Sequence, residues 1–156
     1  MLKNVFLRSC MICGKIAQYY CVIHCASEYV VDIILCSGPS MEPTIFSNDL
    51  VITEHISRNR KTIQKGDVVI CLNPRKPGDL ICKRVLAFEG DRVYVDDKNK
   101  YEWIPRGHVW LEGDNRENSI DSRDYGPVPY ALLRSRVIWK IWPIKHMGWM
   151  RYPGER

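Results

Sequence analysis

The sequence predicts a mainly β domain preceded by one helix, and three observations lead there. Gly-Asp pairs at 66–67, 78–79, 90–91 and 113–114 punctuate the chain beyond residue 37, and closely spaced turn signals point to an all-β sheet or barrel. The runs between them are short, alternating and rich in β-branched and aromatic residues, the pattern of strands that bury one face. Ahead of them, Ile16 to Cys36 is largely apolar and holds no glycine or proline that would interrupt a helix.

The apolar stretch is long enough to cross a bilayer, which takes about 20 residues in a helix. His24, Glu28 and Asp32 break its apolar character, but at i, i+4 and i+8 they form one stripe, so the segment reads as a membrane-associated helix with a polar seam. A cleaved signal peptide is the alternative, although no clear small-residue cleavage site precedes Gly38-Pro39-Ser40. Six strands follow, at Leu50 to Ile56, Asp67 to Leu72, Leu80 to Phe88, Arg92 to Asp96, His108 to Glu112 and Arg136 to Ile141. Arg58 to Gln64 and Asn73 to Asp79 read as exposed loops. The organisation is an anchoring helical segment over 1–36 and a β domain over 37–156.

With 156 residues, 46% hydrophobic and 26% charged, the chain fits one globular domain and excludes a disordered or collagen-like class. Its seven cysteines are odd in number and five fall in the first 36 residues, which argues against a disulfide scaffold. The net charge of +5 sits in residues 131–156, which hold six basic and one acidic residue together with Trp139, Trp142, Trp149 and Tyr152. That mixture suits an anionic membrane surface or a solvated terminus. The near-neutral middle argues against a nucleic-acid face, which spreads basic charge over the fold.

Several catalytic signatures are missing: no Gly-x-Ser-x-Gly elbow, Ser-x-x-Lys, Walker loop, His-Glu-x-x-His or dinucleotide glycine fingerprint occurs. Cys10, Cys13, Cys21, His24 and Cys25 are too closely spaced for a usual zinc site and read as apolar helix residues. Ser37 to Thr44 is different, because Pro39 and Pro43 set Ser40 on a stiff, extended connection, as either a plain turn or a nucleophile would be. In the strand that follows, the period of two puts Lys83 on the face of Ile81, Val85 and Ala87, with Arg84 beside Cys82 and Leu86 on the other. A lysine on an apolar face is desolvated, which lowers its pKa toward that of a general base; the alternative is a lysine that snorkels to the strand edge. Gly113 to Pro129 packs donors, acceptors and both charge signs into one loop, either a hydrogen-bonded platform or a solvated loop.

In this order the segments resemble the boxes of the type I signal peptidases. Ser37 to Thr44 matches the serine box, Gly66 to Val69 a Gly-Asp-Val-Val box, Lys83-Arg84-Val85 with Glu89-Gly90-Asp91 the lysine box, and Gly113 to Pro129 the last. Asp121-Ser122-Arg123 and Tyr125 to Pro129 are most similar to the mitochondrial inner-membrane members of the family. The resemblance implies a mainly β catalytic domain, a Ser40 nucleophile, Lys83 as general base and Ser119 holding the lysine amine, with Asp114, Asp121 and Arg123 supporting that loop. Gly38 departs from the bacterial box, which carries a serine there, so the oxyanion donor falls to backbone N–H, including that of Ser40.

Further implications of the resemblance are a cofactor-free, metal-free reaction, precursor polypeptides as substrates, a second peptidase subunit and inner-membrane lipid as partners, and no nucleic acid. Lys3, Arg8 and Lys15 precede the apolar helix, so the positive-inside tendency sets the N-terminus in the matrix and the catalytic domain toward the intermembrane space. The polar seam then faces a partner, since intramembrane ionisable groups avoid lipid. Two other classes compete: a membrane-tethered β domain that only binds a partner, and a relative of the self-cleaving repressor proteases. The helix, and the lack of a helix-turn-helix, disfavour the second.

Overall fold

The computed structural model describes residues 2–96 and 99–150. It opens with α1 (Leu2–Tyr29) and continues through β1 (Val31–Leu35), β2 (Leu50–Glu54), a short α2 (Ile56–Arg60), β3 (Val68–Leu72), β4 (Leu80–Phe88), β5 (Arg92–Val95), β6 (Lys100–Trp103) and β7 (His108–Glu112). A one-turn α3 (Ser122–Tyr125), β8 (Val128–Pro129), β9 (Leu133–Trp142) and β10 (Gly148–Trp149) complete it. The main sheet is antiparallel in the order β1-β2-β9-β3-β4-β7-β8, with β10 added to β9, and β5 and β6 form a separate ribbon. The mainly β class with one N-terminal helix is therefore as expected.

The predicted helix limits need correction. α1 begins well before Ile16 and stops at Tyr29, and Val31 to Leu35, expected to be helical, is a strand in register with Leu50 to Glu54. The reason is tertiary: Val31, Ile33 and Ile34 are β-branched, and β2 offers them a complete antiparallel ladder. Asp32 accordingly lies on the sheet, exposed, and accepts the Ile33 N–H, so the three-residue helical seam does not exist. The Glu28 side chain, like Tyr152 and the rest of 151–156, lies outside the described residues. No helix among the described residues is long and apolar enough to cross a membrane.

β3 explains how the sheet holds two cores. It is buried on both faces, Val69 and Cys71 pointing into a cluster with Val85, Leu111 and Leu133, and Val68 and Ile70 into one with Met41, Ile45, Val51 and Val137. The second cluster also takes Ile34 from β1 and Cys82 from β4, strands separated by three others, so the sheet curls until they face each other. Ala87 departs from the expected face of β4: a register shift against β7 between Val85 and Ala87 turns it into a third cluster with Val95, Ile104 and Trp110. The segment expected as an exposed loop at Arg58 to Gln64 contains the end of α2 and the buried Ile63.

Two of the six basic residues of 131–156 are paired with carboxylates within the sheet. β9 runs through the sheet, where Arg136 meets Glu54 at 2.9 Å and Asp67 at 3.4 Å, and buried Lys140 meets Asp49 at 2.7 Å. A truncation series checks the boundary. Removing residues 1–29 should preserve a strand-dominated circular dichroism spectrum and a cooperative melt, whereas removing 1–36 strips Ile34 and Cys36 from the core and should cost about 2–3 kcal/mol.

Candidate active site

Three segments converge beside β4. Burial of Met41 and Ile45 anchors the first, and the Glu42 N–H donates to the Pro39 carbonyl at 3.1 Å, so Ser40 stands on a hydrogen-bonded turn instead of the extended connection expected. Gly38 adopts φ +94°, a conformation open to glycine with little strain, and lets the chain turn out of β1. The Ser40 carbonyl accepts the Asn115 N–H at 3.0 Å. Its own N–H has no partner among the described residues.

Lys83 lies in the middle of β4, only 3% exposed. Its Nζ donates to Ser119 Oγ at 2.8 Å, and Ser119 Oγ donates to Asp121 Oδ2 at 2.6 Å. Burial lowers the Lys83 pKa; the nearby carboxylate of Asp121 pulls the other way but does not cancel it. Asp121 is wholly buried, and burial pushes its carboxyl up, yet it is held below the usual carboxylate range by Arg123, the Gly113 N–H, Ser119 and the Arg123 N–H. Arg123 grips it with two side-chain bonds, Nε to Oδ1 at 2.9 Å and Nη2 to Oδ2 at 2.7 Å. Asp121 also caps α3, and its own N–H donates to the Asp124 carboxylate in return.

Ser40 and Lys83 line one cavity of about 250 Å³, walled by Ile34, Met41, Ile45, Ile70 and the thiols of Cys36 and Cys82. A second depression, lined by Asn118, Ile120 and Tyr125, also takes in Lys83. The apolar wall beside a hydroxyl and a desolvated amine suits an extended peptide with an aliphatic or small side chain turned inward. Among the described residues, no group of three or more His, Cys, Asp or Glu is placed to hold a metal ion.

Comparison with known proteins bears on this geometry. Residues 10–101 and 96–142 match the family described as signal peptidase, peptidase S26. The chain belongs to that family. It is 48% identical over 155 residues to mitochondrial inner membrane protease subunit 1 of Homo sapiens, covering 97% of this chain and 93% of the relative. The fission yeast Schizosaccharomyces pombe subunit 1 is 40% identical over 139 residues, 86% of this chain and 87% of the relative. Subunit 2 of Mus musculus is 38% identical over 112 residues, covering 68% and 64%. The chain is thus a signal-peptidase-type serine endopeptidase of the mitochondrial inner membrane.

In this signal peptidase the supporting residues extend beyond those named from sequence. Asp114 does more than support its own loop: it accepts Arg84 Nε at 2.7 Å and Nη2 at 2.6 Å, and also the Thr44 hydroxyl of the serine segment. Arg84 further donates to the Gly66 carbonyl at 2.6 Å, tying three of the four boxes together. Lys140, unmarked in the sequence, donates to the Thr44 carbonyl at 2.7 Å while paired with Asp49. The one available signal was a lysine inside a strand whose neighbours alternate toward the core.

Gly113 is required for close approach, because a Cβ there would strike Ser119 Oγ and the Ser40 carbonyl oxygen. Gly113→Ala should cost about 1–3 kcal/mol, as overpacking does, and should slow cleavage more than the loss of folded protein explains, measured as kcat/KM per folded molecule. Arg123→Ala leaves Asp121 buried without its cation and should cost about 3–5 kcal/mol in denaturant titration. A parent-like melt with no activity would show instead that Arg123 acts in the reaction.

Proposed function

We propose that Ser40 is the nucleophile and Lys83 its general base in the hydrolysis of precursor polypeptides. The observation that carries this reading is a buried lysine of lowered pKa, bonded to Ser119 and sharing a peptide-sized cavity with Ser40. Ser119 gives its only proton to Asp121 and accepts an N–H of Lys83, which leaves the lone pair of the neutral amine free to turn toward Ser40. Lys83 takes the hydroxyl proton as Ser40 Oγ adds to the scissile carbonyl, then returns it to the leaving amine. The acyl-enzyme is released by water, for which Lys83 serves as base a second time. The Ser40 N–H donates to the oxyanion, a role that Gly38, lacking a hydroxyl, cannot share through its side chain.

Ser119 is a positioning residue in this scheme, and Asp114, Asp121 and Arg123 hold the loop that carries it. The helix α1 supplies the anchor, and the peptidase domain, which starts at β1, faces the intermembrane space. The similarity to both subunit 1 and subunit 2 proteins supports pairing with a second, related peptidase subunit. Exposed Trp142, Ile144, Met147 and Trp149 beside Lys145 form the surface that rests on the membrane.

Activity should rise with pH as Lys83 loses its proton, with a midpoint below that of an ordinary lysine, because burial lowers the Lys83 pKa. The stability effect has the same sign: the unfolded chain binds this proton more tightly, so folding gains as pH rises through the interval between the two pKa values. Cleavage of a precursor peptide should vanish in Ser40→Ala and in Lys83→Arg, whose guanidinium stays protonated, with melts close to the parent for Ser40→Ala. Full activity in Lys83→Arg, or a rate that falls with rising pH, would sink the dyad.

A further inference from the structure

Two thiols that the peptidase chemistry does not use meet in the wall of the same cavity. Cys36 precedes the serine segment and Cys82 immediately precedes Lys83. Only the curl of the sheet unites them, since β1 and β4 are separated by three strands. Both pack into the cluster of Met41, Ile45 and Ile70, and both line the cavity shared by Ser40 and Lys83. The two side chains interact directly: a hydrogen bond from Cys82 holds the Cys36 thiol below its ordinary pKa, while the same bond and burial push Cys82 up. Cys71, by contrast, is buried in the other core and pushed up to about 12 by burial.

We propose that Cys36 and Cys82 form a redox-active dithiol that closes to a disulfide with a disulfide-class oxidant such as oxidised glutathione, and that closure suppresses peptide cleavage. The inference rests on reading this cavity as the peptide site. In the first step the Cys36 thiolate attacks one sulfur of the oxidant, forming a mixed disulfide and expelling one glutathione thiolate. Cys82 then loses its proton to that thiolate and attacks the Cys36 sulfur, expelling the second, which takes up the proton that Cys36 gave to solvent. Two protein thiols are oxidised to one disulfide and one oxidant molecule is reduced to two thiols. The order of attack follows the two thiols' opposite environments.

Closure draws the sulfurs to about 2.05 Å, pulling the exit of β1 toward β4 between nucleophile and base. Positioning errors of about 1 Å at reacting groups cost on the order of 100-fold, so a tether one residue from Lys83 and four from Ser40 is well placed to act on rate.

The test uses the full-length protein in detergent across a series of reduced-to-oxidised glutathione ratios, with cross-links mapped by mass spectrometry and precursor-peptide cleavage followed in the same samples. A Cys36–Cys82 cross-link should grow with the oxidised fraction while kcat/KM falls by about tenfold or more, and dithiothreitol should restore both. The ratio of reduced to oxidised activity should collapse to about one in Cys36→Ala and in Cys82→Ala, whatever their basal rates, since no second thiol remains to close the bond. The serine variants serve if alanine impairs folding. No cross-link in fully oxidised glutathione, a cross-link that leaves kcat/KM unchanged, or a redox response that survives in both variants overturns the proposal. Failure of the peptide-site reading is separate: it would appear as cleavage that survives Ser40→Ala, whereas the cross-link is read by mass alone.

Discussion

An amine serves as a base near neutral pH only where water does not stabilise its proton, and in this chain the necessary burial brings a buried carboxylate with it. Lys83 in β4 is desolvated, but Asp121 lies close enough to hold the proton on the amine and undo the effect. The structure resolves this conflict by using the carboxylate elsewhere. Arg123, the Gly113 N–H and Ser119 occupy both Asp121 oxygens, so Lys83 bonds to the Ser119 oxygen and not to the carboxylate itself. A buried ion pair is a poor source of stability on balance. Here it keeps a charge quiet beside the Lys83 amine, the base of the proposed mechanism.

The serine segment has little regular structure of its own, and its position depends on partners far along the chain. Asn115 holds the Ser40 carbonyl, Asp114 and Arg84 hold Thr44 and Gly66, and Lys140 holds the Thr44 carbonyl. These contacts explain why the glycine at 113 has no room for a side chain, since the Ser119 side chain and the Ser40 carbonyl both crowd that position. The cavity thiols lie in the same place: Cys36 and Cys82 share one core cluster and line the cavity that Ser40 and Lys83 also line.

The charge pattern acquires a different meaning in three dimensions. Arg136 and Lys140 are neutralised inside the sheet by Glu54, Asp67 and Asp49. Among the described residues of this stretch, Arg134 and Lys145 stay exposed, Lys145 beside the exposed Trp142 and Trp149 near β10. Trp139 packs edge-on against Trp149, with ring centres 4.6 Å apart.

Features of period two were legible in the sequence. Leu80–Phe88 and His108–Glu112 fall at the limits that alternation and flanking turns indicate, and Lys83 is buried on the face its spacing assigns. The order of the serine, lysine and loop segments was legible too, because each carries its own local composition. Other features required the folded chain. Val31 to Leu35 is equally apolar as helix or strand, and only the ladder offered by β2 decides between them. Whether Lys140 faces solvent or Asp49, whether Ala87 keeps its phase past a bulge, and which cysteine meets which are settled by partners dozens of residues away. Alternation is encoded between neighbours, so a single strand reveals it. Pairing, curl and the burial of charge depend on contacts that exist only after the chain has closed on itself.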